Sequence, residues 1–565
     1  MSLEKLSVPS NGNSDTISRR ALILITAGLL TGLLLGALDQ TIVATAGPTI
    51  ISDLGGLSVY AWVFSAYILT QTVSMPIFGK LSDLYGRRKF LVLGLSVFMA
   101  GSVLSGAAQG IDQLIIFRAI QGIGSGAFFP IAIAVAGVAF PPSQRGRIQG
   151  VFASVFGISA VLGPSAGSYI VQALNWRWIF YVNLPLGVAS ILLIALGLRE
   201  SRDLNSRPVV DWLGVGTLTS WITLLMLGFL SGGSTFPWYS WQEAALFSSA
   251  AVLFVVFLQT ERRAPDPLVP LSLFRIRTIA AASAVAFLTG VAMYAVISYV
   301  PLFVQAALAG SIDDSRNVLY ALMIPLVAGA IFGGQLGTRT VGYRVLLTTG
   351  LVIMSGGFFL LTTVSSATSL VQLMEYGAVM GFGLGVTFPV AILAIQYSVS
   401  RRQIGIASSL AQFTRNLGGT IGLSVLGAIQ VNAFGDRLSS LLQSVPTQFR
   451  AQAAAFLGDP NLVGRVLSSP DALSKIESAN PAFAQFVPAL RAAFSQSVTP
   501  LFFAGFGLAV CSVVAGLFVQ GSFRKQVMAR NALHAKEEEE LLGAASPPPD
   551  MIRPSESQPP KQKAA

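Results

Sequence analysis

Long apolar runs separated by short polar breaks fill most of the chain between positions 21 and 520. Fourteen reach membrane-crossing length, at about 21–46, 58–80, 89–108, 113–136, 147–171, 177–198, 211–231, 241–259, 278–301, 317–338, 344–364, 369–396, 403–430 and 497–520. A helix needs roughly 20 apolar residues to cross ~30 Å of hydrocarbon. We number these runs TM1 to TM14, and the pattern predicts an all-α polytopic membrane protein. The polar stretch 1–20 ends in Arg19-Arg20. The run that follows is too long for a cleaved signal, whose apolar core is short, and it carries Asp39, so it reads as the first membrane helix.

Two regions break the pattern. The stretch 431–496 is cut by Pro446, Pro460, Pro470, Pro481 and Pro488 into short, mildly amphipathic pieces, and is expected as an extracytoplasmic loop. The tail 521–565, with its Lys536–Glu540 charge run and Pro547–Pro549, has the composition of a disordered segment.

Of the 565 residues, 53% are hydrophobic and only 11% charged, against about 25% charged in soluble domains. The net charge of +11 is laid out by membrane side. Of 36 Lys and Arg, 27 fall on the side of the termini, seven on the other, and Arg118 and Arg415 lie inside helices. That bias puts both termini in the cytoplasm of a cell-membrane protein. The basic charge then faces anionic lipid, and no nucleic-acid partner is needed. Cys511 and His534 are the only residues of their kinds. An intrachain disulfide is thereby excluded, and His-dependent nucleophilic triads and thiolate or multi-histidine metal sites lose their ligands. No enzyme activity, cofactor or metal is expected, and any proton handled in the bilayer falls to Asp, Glu, Arg or Tyr.

The polar residues inside the apolar runs carry the chemistry. Gly79-Lys-Leu-Ser-Asp83-Leu-Tyr-Gly86-Arg87-Arg88-Lys89 occupies the TM2–TM3 loop. Its glycines permit tight turns and close helix approach. Asp83 can accept hydrogen bonds from backbone N–H groups and from arginines, so Gly79, Asp83, Gly86, Arg87 and Arg88 form a candidate cytoplasmic gate. This spacing resembles the loop motif of the major facilitator superfamily. A degenerate echo, Gly334 to Arg344 between TM10 and TM11, lacks the Asp but supports an internal repeat.

Other segments narrow the resemblance to the fourteen-helix drug:proton antiporters. Leu38-Asp39-Gln-Thr41 to Pro48 is similar to their TM1 motif, with Ala44 where Asn is usual. Arg118, followed by Gln121-Gly122-Ile-Gly124, stands where the superfamily places a proton-linked arginine. Gly150, Gly163, Pro164 and Gly167 in TM5 match the antiporter motif, with Ser159 and Ser168 replacing two of its glycines. Trp176 to Gly187 opens TM6 and reads physically as an aromatic interface belt, while resembling the same family; so does Asp211 to Gly214 at TM7.

The resemblance implies two six-helix bundles, 21–198 and 278–520, joined by two linker helices in 199–277. It implies a monomeric proton-coupled antiporter exporting hydrophobic or cationic drugs by alternating access. No Walker-type phosphate loop is present, so an ion gradient is the expected energy source. An exporter of lipids or lipid-linked molecules is the alternative on the same fold. Buried acids are costly in a bilayer and point to function. At 1.5 Å per residue, Asp39 lies ~27 Å up TM1 and Arg118 ~8 Å below the outer end of TM4, both in the outer half. Glu375 in TM12 and Arg415 in TM13 also fall at similar depths, ~9 Å below the outer surface and ~18 Å above the inner one. These four are the proton-coupling candidates. Trp62, Tyr67, Gln71, Gln121, Tyr294, Tyr299 and Gln412 are the cavity candidates.

Overall fold

The computed structural model describes residues 18–54, 61–140, 142–198, 210–232, 236–337, 342–400, 403–444, 463, 467 and 486–520. Nearly all of them are helical. In chain order the helices are α1 (Arg19–Thr45), α2 (Gly47–Leu54), α3 (Ala61–Tyr85), α4 (Arg87–Gly106), α5 (Ile111–Ala139), α6 (Pro142–Ala173), α7 (Trp178–Tyr181) and α8 (Asn183–Gly197). Then follow α9 (Trp212–Ser231), α10 (Trp241–Arg263), α11 (Arg277–Ala306), α12 (Ile312–Gly337), α13 (Tyr343–Thr362), α14 (Leu370–Tyr397), α15 (Ile404–Ser444) and α16 (Val487–Leu517).

Helix is the expected answer to a bilayer, where each backbone N–H and C=O must find its partner within the segment. Thirteen helical spans among the described residues are long and apolar enough to cross, with α7 and α8 forming one of them. The remaining crossing-length helix, α3, is 25 residues long but carries Thr70, Gln71, Thr72 and Ser74 in its interior. Gln71, Thr72 and Ser74 are buried against protein, so the polarity that weakens the apolar signal points inward.

Within the first half, α5 packs on α3 and α4, and α1 on α6 and α8. Within the second half, α14 packs on α12 and α13, and α11 on α15 and α16. The pair α9–α10 sits between the halves in sequence and touches α3 and α15 through α9. The halves meet along two seams, α6 on α12 and α3 on α15. Glycine makes the first seam possible. Gly150 faces the backbone at Ala330 and Ile331, and Gly334 of the echo segment lies against Gly146 and Gly150, with no room for a Cβ at either site. Small residues at such crossings let helix backbones approach closely.

The second half corrects the expected loop boundaries. Helix α15 does not stop near 430 but runs on to Ser444, and α16 starts at Val487 instead of 497. Phe434, Leu438, Val463, Leu467, Leu490 and Phe494 are all buried in the same cluster as the second bundle's core. The ends of the 431–496 region are thus continuous with the bundle. The rest of that region and the tail expected to be disordered lie outside the described residues.

Candidate functional site

The centre of the first bundle holds an ion pair. Asp39 on α1 and Arg118 on α5 are each 1% exposed, and Arg118 Nη1 donates to Asp39 Oδ2 at 2.6 Å. The other carboxylate oxygen accepts from Gln121 Nε2 at 2.8 Å and from Asn183 Nδ2 at 3.0 Å. Arg118 also donates to Gln121 Oε1 at 2.7 Å and to the Val63 carbonyl at 3.3 Å. Its guanidinium carbon lies 4.2 Å from the centre of the Tyr67 ring. Three donors thus converge on one carboxylate.

Five helices converge to build this cluster. Asn183 is the first residue of α8, where the α7–α8 break turns an amide inward. Ser102 on α4 accepts from Asn183 at 3.0 Å and from Gln121 at 3.3 Å, and donates to the Phe180 carbonyl. On α3, the Tyr67 hydroxyl and Gln71 Nε2 both donate to Ser125 Oγ at 2.7 Å, and Gln71 Oε1 accepts from Gln40 at 3.4 Å. Gly101 lies against the Gln121 backbone and Gly122 against Tyr67 and Thr70. These close crossings bring the polar groups within reach.

The antiporter-motif helix α6 braces the neighbouring face. Pro164 has no N–H to give, so it breaks the helix ladder. Nearby carbonyls take outside donors: Thr41 of α1 donates to Ser159, and Tyr320 of α12 to Val161, each at 3.1 Å. Gly163 stands directly against Thr41. Gly167 is buried in the same helix.

A latch joins the halves at the end of the bundles marked by Asp83. Asp83 closes α3, and its Oδ2 accepts the backbone N–H of Ile406 at 3.0 Å, in the first turn of α15. Its Oδ1 accepts from Arg87 Nη2 at 2.7 Å. The carboxylate thus meets the positive end of a helix from the other bundle. Gly79 meets Ser409, and Gly405 meets the Asp83 carboxylate, with no space for a side chain. Gly86 has φ 106°, which only glycine adopts without strain, and it starts α4 directly after α3. Arg88 is half-buried in the first turn of α4. At the same end, Gln396 of α14 donates to the Ile133 carbonyl of α5 at 3.0 Å, Arg145 of α6 lies over the Tyr397 ring at 5.4 Å, and Lys80 pairs with Asp266 beyond α10.

In the second bundle, Arg415 of α15 is 6% exposed. It donates to Gln412 Oε1 at 3.1 Å, and its guanidinium carbon lies 3.9 Å from the Phe388 ring centre. The structure does not bring Glu375 to it: although the two were read at similar depths, Glu375 is exposed on α14 while Arg415 is buried. Depth fixes only one coordinate of a side chain. Tyr299 donates to the Leu423 carbonyl at 3.2 Å, and Tyr294 packs on Gly419, so both hold α11 to α15. Trp62 is half-buried at the start of α3.

Sequence reading missed Asn183, Ser102 and Ser125. Asn183 had a signal, an amide opening an apolar helix; a lone serine in a membrane helix has none. It also misplaced Trp176, which is no belt residue. Trp176 is 2% exposed and donates through Nε1 to Asp53 at 2.9 Å, beside Arg177, which pairs with the same carboxylate at 2.7 Å. Arg177 and Trp176 hold the Asp53 carboxyl below its usual range.

Comparison with known proteins agrees with this architecture. The Major Facilitator Superfamily model matches residues 29–423, most of the chain. The chain belongs to the Major Facilitator Superfamily. It is 38% identical over 511 residues to the multidrug transporter protein MdtP of Bacillus subtilis (strain 168), covering 89% of this chain and 93% of that protein. It is 37% identical over 464 residues to multidrug resistance protein 3 of the same organism, covering 82% and 90%. Solved superfamily structures share the fold. The proton:xylose symporter XylE superposes with a TM-score of 0.55 at 14% identity, over 88% of this chain and 95% of that one. The human organic anion transporter MFSD10 does so at 0.54 and 16%, over 87% and 99%. The family and the many apolar helices together make the chain a multi-pass membrane transporter.

Proposed function

We propose that the chain is a proton-coupled efflux antiporter, exporting hydrophobic drugs by alternating access, with both termini in the cytoplasm. The observation that carries this reading is the buried Asp39–Arg118 pair with its two amide donors. The two similar B. subtilis proteins named for multidrug transport support the drug class. In the state described, Asp39 is paired with Arg118 and the Asp83 end, which this reading takes as the cytoplasmic one, is latched. A proton arriving from outside neutralises Asp39, frees Arg118 from its partner and loosens the joint between α1, α5 and α8. Rocking along the α6–α12 and α3–α15 seams then breaks the Asp83–Ile406 contact and opens the cytoplasmic side. Drug enters there and the proton leaves.

The cationic half of the expected substrate range has little support in the site. Among the described residues of the central helices, Asp39 is already neutralised and Glu375 faces outward. A cation would instead meet Arg415. The test is uptake of a neutral hydrophobic dye into inverted vesicles, where export runs inward, with and without an uncoupler. Efflux should be uncoupler-sensitive and lost in Asp39→Asn. Uncoupler-insensitive efflux would overturn the coupling.

A further inference from the structure

We infer that Arg415 is the anchor of a substrate subsite for amphipathic acids, molecules that carry a carboxylate or sulfonate on an aromatic or aliphatic body. The inference rests on the efflux reading above and names its substrate class.

Arg118 and Arg415, buried in helices α5 and α15 of the two bundles, differ in one respect. Arg118 is neutralised by Asp39 at 2.6 Å. Arg415 is as deeply set, yet no carboxylate among the described residues forms an ion pair with it, and its Nε has no hydrogen-bond partner. A buried charge without a counter-ion is strongly unfavourable and persists where a ligand supplies what the protein lacks. What is lacking here is an anion.

The surroundings set the shape of that anion. The Gln412 side chain holds one guanidinium nitrogen from the preceding turn, and the Phe388 ring lies across the cation at 3.9 Å. This fixes the plane of the guanidinium and leaves Nε buried without a hydrogen-bond partner, on the edge that takes an oxyanion side-on. Apolar surface surrounds it: Phe388 on α14 and, one turn along α15, Tyr294 packed on Gly419. Neighbouring Asn416 donates to Met75 Sδ of α3 at 3.8 Å, so Arg415 lies next to the seam between the bundles. Rocking along that seam changes access to it. Gly290 lies directly against the Arg415 backbone, which leaves α11 and α15 in close contact and the arginine's position fixed.

The charge balance has a consequence. One proton entering as one monoanion leaves moves two positive-charge equivalents inward, so the exchange is driven by the membrane potential as well as by the pH gradient. Export of a neutral drug for one proton moves one.

The experiment uses the full chain in lipid nanodiscs and three probes with one body and different heads: 2-naphthoate, 2-naphthalenemethanol and 2-naphthylmethylammonium. Calorimetry should show naphthoate binding about tenfold or more tighter than the alcohol, the factor that a charge-assisted hydrogen bond supplies, with the amine weakest. Arg415→Gln should erase the preference. Arg415→Lys should keep part of it, since charge remains while the planar fork is lost. Equal wild-type affinity for the three heads overturns the inference without needing any variant. So does an undiminished preference in Arg415→Gln. Selective naphthoate binding with no proton-linked export in proteoliposomes would leave the subsite standing and overturn the antiport reading. Proton-linked dye export with no head-group preference would do the reverse.

Discussion

Replacing Asp39 by Asn tests the coupling cluster with almost no change in shape. The variant keeps an oxygen for one donor and loses the charge that faces Arg118 at 2.6 Å. With charge centres about 4 Å apart and an effective dielectric constant of about 20, the lost attraction is about 4 kcal/mol. Arg118 retains Gln121 Oε1, the Val63 carbonyl and the Tyr67 ring, so part of that loss is offset. The net destabilisation should be about 2–4 kcal/mol, near the lower end of the range for orphaning one member of a buried pair. Asp39→Asn with Arg118→Gln removes the orphaned charge as well. The double variant should therefore recover at least half of the lost stability, because neither remaining amide is charged. Thermal unfolding of the purified protein in nanodiscs gives the order: wild type, then the double variant, then Asp39→Asn. Both variants should bind drug and neither should couple its efflux to protons. A double variant less stable than Asp39→Asn would refute the electrostatic account of the pair. Uncoupler-sensitive efflux by Asp39→Asn would remove Asp39 from the coupling step.

Three further outcomes follow from the geometry. Asp83→Asn replaces a charge-assisted contact to the Ile406 N–H by a neutral one, a loss of about 1 kcal/mol or about fivefold in the closed-to-open ratio; spin-label distances across the cytoplasmic ends should lengthen while transport falls, and unchanged distances would count against the latch. Leu467→Ala should cost about 2–5 kcal/mol, because Leu467 is 2% exposed in the second bundle's core cluster; no change in thermal stability would mean that the 431–496 region rides free of the bundle. The Asp53 carboxyl is held below its ordinary value by Arg177, so its stabilising tie is present above about pH 4 and is lost only as pH falls through the lowered value; Asp53→Asn should lower the melting temperature equally at pH 7.5 and pH 5, and a gap that closes at pH 5 would contradict that sign.

The sequence by itself determined the class of fold, the approximate positions of its helices and which polar residues sit inside them. It could do so because a bilayer imposes one local rule, an apolar run with internally satisfied backbone, and every exception to that rule stands out as a charge or amide. Asp39 and Arg118 were legible for this reason, and Asp83 from the spacing of glycines and arginines around it in the TM2–TM3 loop. Tertiary structure decided which exceptions meet. Asp39 and Arg118 were read at compatible depths, and so were Glu375 and Arg415, but only the first two meet, because facing is set by helix rotation and by which glycines let which helices close up. The contributions of Asn183 and Ser102 depend on distances across four helices, which no local pattern carries. Trp176 resembled a belt residue until Asp53, 123 positions away, supplied its partner. The boundaries of the 431–496 region shifted for a related reason: α15 and α16 find apolar partners in each other beyond the membrane-length window, and packing extends a helix that hydropathy alone would end.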